Sequence, residues 1–276
     1  MNKKSELGSQ TVQSTMLLPL WGRATASEKN PEILNDKEAI EIIKNCNYDF
    51  SSIAKTFGEF GGICYIVRAR RIEDTIRKFI QKHPCATVVN IGAGLDTTFS
   101  RVDNGRIRWY NLDLPDAIAF RQKFIPDPSR NTSIAKSLFD ISWFDDVAFH
   151  PKDGILFISA GVFYYFKEEQ LKEIFKAMAH RFPGGELYFD AESRQAVKKS
   201  NRMVQKTGNK GAMMYFYVNN VKDIEEWSPN IHAVACEKYF EGIPANREWS
   251  SGIRFMMRAS DWLKMMKFVH LRFSDK

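Results

Sequence analysis

The sequence predicts an α/β fold: a Rossmann-like, mostly parallel sheet closed by an antiparallel C-terminal strand, preceded by a helical cap and interrupted by a lid insertion. Three observations carry that prediction. From residue 86 onward, short apolar runs alternate with helical segments, a pattern that builds parallel sheets through right-handed crossovers. The stretch Val88-Val89-Asn90-Ile91-Gly92-Ala93-Gly94-Leu95-Asp96 reads as a buried strand entering a glycine turn and then a helix. The next strand-like run, Ile107-Arg108-Trp109-Tyr110-Asn111-Leu112, ends in Asp113, an acid placed to accept hydrogen bonds from a ribose.

The elements follow in order. Residues 1 to about 12 are polar and predicted to be disordered, and 15–26 is apolar. Asn35-Asp36-Lys37-Glu38 opens a helix, with Asn35 as cap and Glu38 completing a capping box before Ala39, Ile40, Ile42 and Ile43. Glycines and aromatics mix from Phe57 to Cys64. A helix over about 65–82 carries Ile66, Ile72, Ile76, Phe79 and Ile80 at helical spacing, with Pro84 just past its end. Residues 1–83 are thus expected to form the cap and 84–276 the sheet domain. Strands are expected at 87–91, 107–112, 132–137, 154–160 and 186–190, with helices at about 96–101, 115–124, 140–147 and 167–182. The run Gly154 to Ala160 is apolar almost throughout, as a central strand covered on both faces requires. Pro183-Gly184-Gly185 stops the helix before the fifth strand. Residues 191–230 are polar and basic, with Gly208, Gly211 and the cluster Met213 to Tyr217, and read as a lid. Residues 231–240 and 268–273 alternate as two further strands, and Trp262, Leu263, Met265 and Met266 predict a helix between them.

A chain of 276 residues, 44% hydrophobic and 26% charged, fits one large α/β domain with a cap, or two small domains. The net charge of +7 suits an anionic substrate. It is too diffuse for nucleic acid, since the only dense basic runs are Arg68 to Arg71 and Lys198-Lys199. The four cysteines, Cys46, Cys64, Cys85 and Cys236, are scattered without C-x-x-C pairs or zinc spacing, and read as reduced, mostly buried thiols of a cytoplasmic protein with no metal. The N-terminus lacks the apolar core of a signal peptide, and no apolar run approaches the ~20 residues that span a bilayer. Oligomeric state is not legible.

The turn itself selects among nucleoside ligands. Thr97 stands where a dinucleotide fingerprint has its third glycine. Gly-x-Gly-x-Asp fits S-adenosylmethionine (SAM) better than NAD, because SAM has no pyrophosphate to seat at a helix N-terminus.

Several segments together resemble one family. They are Thr15-Met16-Leu17-Leu18-Pro19-Leu20-Trp21-Gly22-Arg23-Ala24, Asp36-Lys37-Glu38-Ala39, Tyr48-Asp49-Phe50 and Val67-Arg68-Ala69-Arg70. Next come Val89-Asn90-Ile91-Gly92-Ala93-Gly94-Leu95-Asp96-Thr97, Asp113-Leu114-Pro115-Asp116 and Gly161-Val162-Phe163-Tyr164-Tyr165-Phe166. From about residue 11 to 273 the chain resembles the leucine carboxyl methyltransferase superfamily, in particular its bacterial branch of polyketide O-methyltransferases. The resemblance implies a class I SAM-dependent methyltransferase with an N-terminal helical cap, releasing S-adenosylhomocysteine. It implies that Arg68 binds the methionine carboxylate, a task suited to a planar guanidinium. Gly92 and Gly94 would lie beside the methionine moiety, Asp113 on the ribose hydroxyls and Leu114 against the adenine. Asp113 could also cap the helix that opens at Pro115. The segment Ser137-Leu138-Phe139-Asp140 matches the adenine-contacting stretch. Ser137 replaces an acid there, and Asp140 is the nearest carboxylate, or alternatively an N-cap. Ala160 stands where many relatives carry a cofactor-contacting Glu, and Asp96 is placed to orient the loop.

The implied acceptor is the carboxylate or hydroxyl oxygen of a small acidic or phenolic molecule. A carboxylate is already ionised at neutral pH, whereas a phenol, with a pKa near ~10, benefits from a base. Arg23 could grip an acidic acceptor or make a structural ion pair, and Tyr164 and Tyr165 follow the central strand at its ligand-binding end. His232, in an apolar segment, reads as structural, and no catalytic base is assigned. Methylation of a protein C-terminus, an NAD dehydrogenase and a SAM-binding protein without transferase activity are the competing readings.

Overall fold

The computed structural model describes residues 12–56, 58–207, 212–244, 246 and 248–274. Seven strands form one sheet in the order β3-β2-β1-β4-β5-β7-β6: β1 Thr87–Ile91, β2 Arg108–Asp113, β3 Asn131–Ala135, β4 Ile155–Ser159, β5 Glu186–Glu192, β6 Ile231–Lys238 and β7 Met266–Phe273. Strands β1 to β5 run parallel, and β7 lies antiparallel between β5 and β6. This is the sheet expected from the sequence, with strand ends displaced by no more than two residues.

The helices are α1 Val12–Lys29, α2 Lys37–Asn45, α3 Ser51–Thr56, α4 Glu59–Lys82, α5 Thr98–Val102, α6 Pro115–Arg121, α7 Glu168–Arg181, α8 Arg194–Thr207, α9 Lys222–Glu225 and α10 Ser251–Trp262. Strands β1 and β4 are buried at every position because helices cover both sheet faces. On one face Val89, Phe157 and Phe189 pack with Ile174 and Phe175 of α7. On the other, Val88, Leu156 and Tyr188 pack with Ile66, Ile72 and Ile76 of α4. Helices α1 and α2 reach further, setting Met16, Leu17, Leu20 and Ala39 against Leu95, Ala117 and Phe120. The cap therefore rests on the loop that leaves β1.

Several local expectations are corrected. Helix α2 is capped by Asp36, whose Oδ1 accepts from Ala39 N at 3.0 Å, and not by Asn35. The helix expected at about 65 begins at Glu59, with Gly58 as its N-cap. The segment expected as helix at 140–147 is a 3-10 turn, Ile141–Asp146. Trp262 ends α10, and Met266 instead opens β7 opposite Glu192, because an apolar pair at a strand start matches helical spacing over so short a window. The cysteines are free, but Cys46, Cys64 and Cys85 are half-buried and Cys236 exposed, not mostly buried. The expectation for residues 1 to about 12 falls outside the described residues up to 11, as do Gly208 and Gly211. Among the described residues no helix is long and apolar enough to cross a membrane, and no cluster of His, Cys, Asp or Glu is arranged for a metal ion.

The β5–β7 pair carries one electrostatic bolt. Glu186 takes His270 Nε2 at 2.8 Å and Arg272 Nη2 at 2.8 Å across the antiparallel register. Burial opposes its charge, but the bonds from His270 and Arg272 outweigh this and pull its carboxyl down to about 2. A depressed carboxylate contributes stability that is complete above its unfolded value and lost as pH falls through the folded one. Glu186→Gln should therefore cost about 2 kcal/mol at neutral pH, after discounting for solvent screening, in urea denaturation. The difference from the native protein should shrink steadily below about pH 4.

Candidate active site

The fold places one deep cleft where the strand order reverses, between the carboxyl ends of β1 and β4. This is the position at which open α/β sheets bind ligands. The cavity is about 370 Å³, floored by the glycine turn after β1 and walled by α1 and α4. Gly92 and Gly94 both have positive φ, +68° and +45°. A Cβ at Gly92 would also lie 2.4 Å from Val162 Cγ2, so the turn after β1 needs glycine twice over, for conformation and for space.

Buried arginines hold the outer side of this turn. Arg121 Nη1, from the end of α6, donates to Gly94 O at 3.0 Å and Asp96 O at 2.6 Å. Arg23 Nη2, from α1, donates to Leu95 O at 2.7 Å, and Arg101 Nη1, from α5, to Thr97 O at 3.2 Å. Four successive carbonyls, 94 to 97, are thus each taken by a guanidinium. Asp36 joins the system: its carboxylate pairs with Arg23 Nε at 3.0 Å and Arg101 Nη1 at 2.8 Å and accepts from Thr97 Oγ1 at 2.8 Å. Burial opposes its charge, yet the two arginines and the bonds from Ala39 and Thr97 hold its pKa below the usual value. Arg23 lines the cleft, but its guanidinium serves Asp36 and Leu95. This corrects the expectation of a substrate grip in favour of the structural ion pair.

On the cleft floor Asp113 receives Gly94 N on Oδ2 at 2.8 Å and Leu114 N on Oδ1 at 2.8 Å. Its side chain does not cap α6, whose N-cap is Leu114. Burial raises its pKa, and the two amide bonds act against that rise.

The opposite wall is built on Arg68. Its Nη2 pairs with Asp190 Oδ2 at 2.9 Å and its guanidinium stands 5.4 Å from the Tyr65 ring centroid. Asp190 Oδ1 accepts Gly161 N at 2.6 Å, binding the end of β5 to the turn after β4. A Cβ at Gly161 would lie 2.6 Å from Arg68 Nη1, so this second glycine turn makes room for the guanidinium. Arg68 Nε is buried with no hydrogen-bond partner among the described residues. A buried, unspent guanidinium donor in a cleft wall fits a ligand carboxylate. With the glycine cradle and Asp113, the residues present therefore fit SAM.

Ala160, Tyr164 and Tyr165 also line the cleft, with Tyr164 buried and Tyr165 exposed at the rim. Burial pushes both phenols up, so they stay protonated at neutral pH. The other expected residues are not brought to the cavity wall. Leu114 is exposed beyond Asp113. Asp140 caps its 3-10 turn through Ser142 N at 3.1 Å, Ser137 Oγ accepts Phe139 N at 3.3 Å, and Leu138 is buried with its carbonyl on Trp143 Nε1. The segment after β3 thus spends its polar groups on its own turns. His232 bonds Ser274 Oγ beside the β7 end, at the sheet edge away from the cleft.

The model of the leucine carboxyl methyltransferase family matches residues 17–179, from α1 through the glycine turn into α7. The chain belongs to that family. It is similar to the tetracenomycin polyketide synthesis O-methyltransferase TcmP of Streptomyces glaucescens, 26% identical over 224 residues, covering 80% of each chain. It is also similar to the S-adenosyl-L-methionine-dependent methyltransferase dpfgK of Gibberella zeae, 22% identical over 280 residues, covering 92% of this chain and 91% of the other. Among solved structures the fold matches a DUF574 family protein from Streptomyces avermitilis, with a TM-score of 0.57, 11% identity, and 77% and 84% of the two chains covered. It likewise matches a SAM-dependent methyltransferase from Anabaena variabilis, with a TM-score of 0.51, 11% identity, and 75% and 85% covered. The family's fold is the class I SAM-dependent methyltransferase fold, and here it carries the family's glycine turn.

Removing Asp36 should expose how much the cleft depends on the cap. Asp36→Ala strips Arg23 of its carboxylate and leaves Arg101 with Glu73 alone, and should cost about 3 kcal/mol in chemical denaturation. In the native protein this stabilisation should be complete above the unfolded value of 3.8 and be lost as pH falls through the lower folded value. Equal stability of variant and native protein at neutral pH would contradict the network.

Proposed function

We propose that the chain is a SAM-dependent O-methyltransferase that moves a methyl group to an oxygen, carboxylate or hydroxyl, of a small acidic or phenolic acceptor of polyketide type. The observation that carries this reading is the convergence on one cleft of a two-glycine turn, the Asp113 carboxylate and the unspent Arg68 Nε. SAM, when bound, supplies a methyl on a sulfonium and a neutral leaving group. The chain supplies the rest. Arg68, fixed by Asp190, holds the methionine carboxylate. Gly92 and Gly94 let the backbone approach, and Asp113 takes the ribose hydroxyls. Leu114, exposed next to Asp113, offers the adenine an apolar surface outside the cavity.

The protein's remaining task is to hold the acceptor oxygen in line with the methyl carbon and keep water out. Ala160, Tyr164 and Tyr165 lie on the acceptor side in this reading. In this reading the described residues of 191–230 form the cover: Tyr215 N donates to Tyr164 O at 2.6 Å, and Asn201 exchanges two bonds with Met214. The division into a cap within 1–83 and a SAM domain within 84–276 belongs to this proposal.

The test is calorimetric titration with SAM and with S-adenosylhomocysteine, for the native protein and the Arg68→Ala and Asp113→Ala variants. Both ligands should bind the native protein, and each variant should lose about ten- to a hundredfold in affinity, one charge-assisted contact each. Folded native protein that binds neither ligand would overturn the reading.

A further inference from the structure

Helix α10 turns its largest apolar side chains away from the protein. Its inner face carries Ile253, Met257 and Ser260, and the first two pack in the cluster of Tyr239, Phe240 and Phe268. Phe255 and Trp262, two turns apart, stand on the opposite face, 71% and 81% exposed. Met256 and Leu263 flank them and are exposed too. Together the four present on the order of 500 Å² of apolar surface, a patch of the size that marks an interaction site. Cations accompany it. Arg258 lies between Phe255 and Trp262, Arg254 one turn before it, and Lys264 just past the helix. All three are exposed, and none forms an ion pair among the described residues. The helix's one acid, Asp261, is turned back onto Phe240 N at 3.1 Å. Lys264 has a positive φ, +50°, alone among the described non-glycine residues. It holds the left-handed position that ends the helix, its N donating to Asp261 O at 3.2 Å and Met265 N to Ser260 O at 2.9 Å. Glycine is the unstrained choice there, and the lysine keeps a cation at the edge of the patch instead.

We propose that α10 docks the protein onto an anionic lipid bilayer, with Phe255 and Trp262 entering the headgroup boundary and Arg254, Arg258 and Lys264 meeting the lipid phosphates. A protein partner must offer a matching pocket for each side chain that projects this far, whereas a fluid interface takes them in any shape. Trp, Phe and Leu beside Arg and Lys are also the composition of helices that lie in that interface. A second copy of the chain fits less well. A two-fold axis through the stripe would bring Arg258 against its own symmetry copy. The apolar area also falls short of the about 800 Å² per partner that a standard protein interface buries. The net charge of +7 favours approach to a negative surface. The position of the helix suits the cleft. Ser193 N, just past β5, donates to Met265 O at 2.8 Å, and Met266 pairs with Glu192. The end of α10 therefore meets the carboxyl-end rim of the sheet, on which the cleft opens, and a docked protein holds its cleft mouth near the lipid boundary. The lipid contact itself does not depend on the methyltransferase reading above.

The experiment is sedimentation of the full-length protein with two sets of vesicles, phosphatidylcholine alone and phosphatidylcholine with phosphatidylglycerol in equal parts. The native protein should bind the anionic vesicles at least about tenfold more tightly than the neutral ones and be released by about 1 M salt. Trp262 is the one exposed tryptophan of the chain, so vesicle binding should shift the emission to shorter wavelength, a shift that Trp262→Phe removes. Phe255→Ser combined with Trp262→Ser should weaken binding at least about tenfold. Arg254→Gln and Arg258→Gln should weaken it about fivefold each, and so should Lys264→Gly, which relieves the turn and so does not lower the melting temperature. Lys78→Gln combined with Lys82→Gln removes the same charge from the far end of α4, and should change binding by no more than about twofold. No binding to anionic vesicles, equal binding to both sets, or binding that survives the α10 substitutions would each overturn the proposal. So would an equal loss in the Lys78 and Lys82 variant, which would assign binding to net charge. A dimer of the lipid-free protein that Trp262→Ser dissociates would overturn it in favour of a second copy.

Discussion

The cleft depends on one buried carboxylate. Asp36 caps α2, pairs with Arg23 and Arg101 and accepts from Thr97, so a single side chain joins two cap helices to the loop that leaves β1. Its partners then reach past it to the loop's carbonyls. The physical consequence is directional. With the carbonyls of residues 94 to 97 turned outward onto guanidinium groups, the turn is fixed, and Gly94 N is directed onto Asp113. Burying so many charges is costly, and is tolerable only because nearly every lone pair and N–H is matched. What the fold obtains is rigidity in a loop that would otherwise be free to reorganise around its glycines.

The same logic builds the opposite wall with different parts. Arg68 is locked to Asp190, and Asp190 to the backbone of Gly161, so the carboxyl ends of β4 and β5 are tied through a side chain from α4. Each wall keeps one buried guanidinium N–H without a partner among the described residues, Arg121 Nε behind the turn and Arg68 Nε on the opposite side, but only Arg68 lines the cleft. Its place in the cavity wall, and not its residue type, sets Arg68 apart.

Much of this was legible in the sequence. The strands were placed because β1 and β4 are continuous apolar runs, and the glycine turn because its two glycines follow a buried strand directly. Arg68 came from the family resemblance, the glycines and Asp113 from the strand, turn and acid pattern itself, and all of them meet at one cleft. The losses have physical causes. Asn35 and Asp36 are equally good caps locally, and only distant Arg101 and Thr97 decide for Asp36. Whether Arg23 grips substrate or a buried acid depends on α2, 13 residues away. Ser137 and Asp140 turned to local backbone donors, as short polar side chains do in turns. Asp190, near the end of an ordinary strand, carries no local signal. Its importance arises from the sheet order that sets β5 beside β4 and beneath α4.

The central claim is that the cleft is already shaped for SAM before the ligand arrives. A crystal structure of the complex with S-adenosylhomocysteine tests it most directly. The expected result is the ligand carboxylate on Arg68 Nε and the ribose hydroxyls on Asp113, with residues 92–98 superposing on their present positions and the Arg23, Arg101 and Arg121 bonds intact. A ligand bound elsewhere, or seated only after the turn has broken from its arginines, would contradict it.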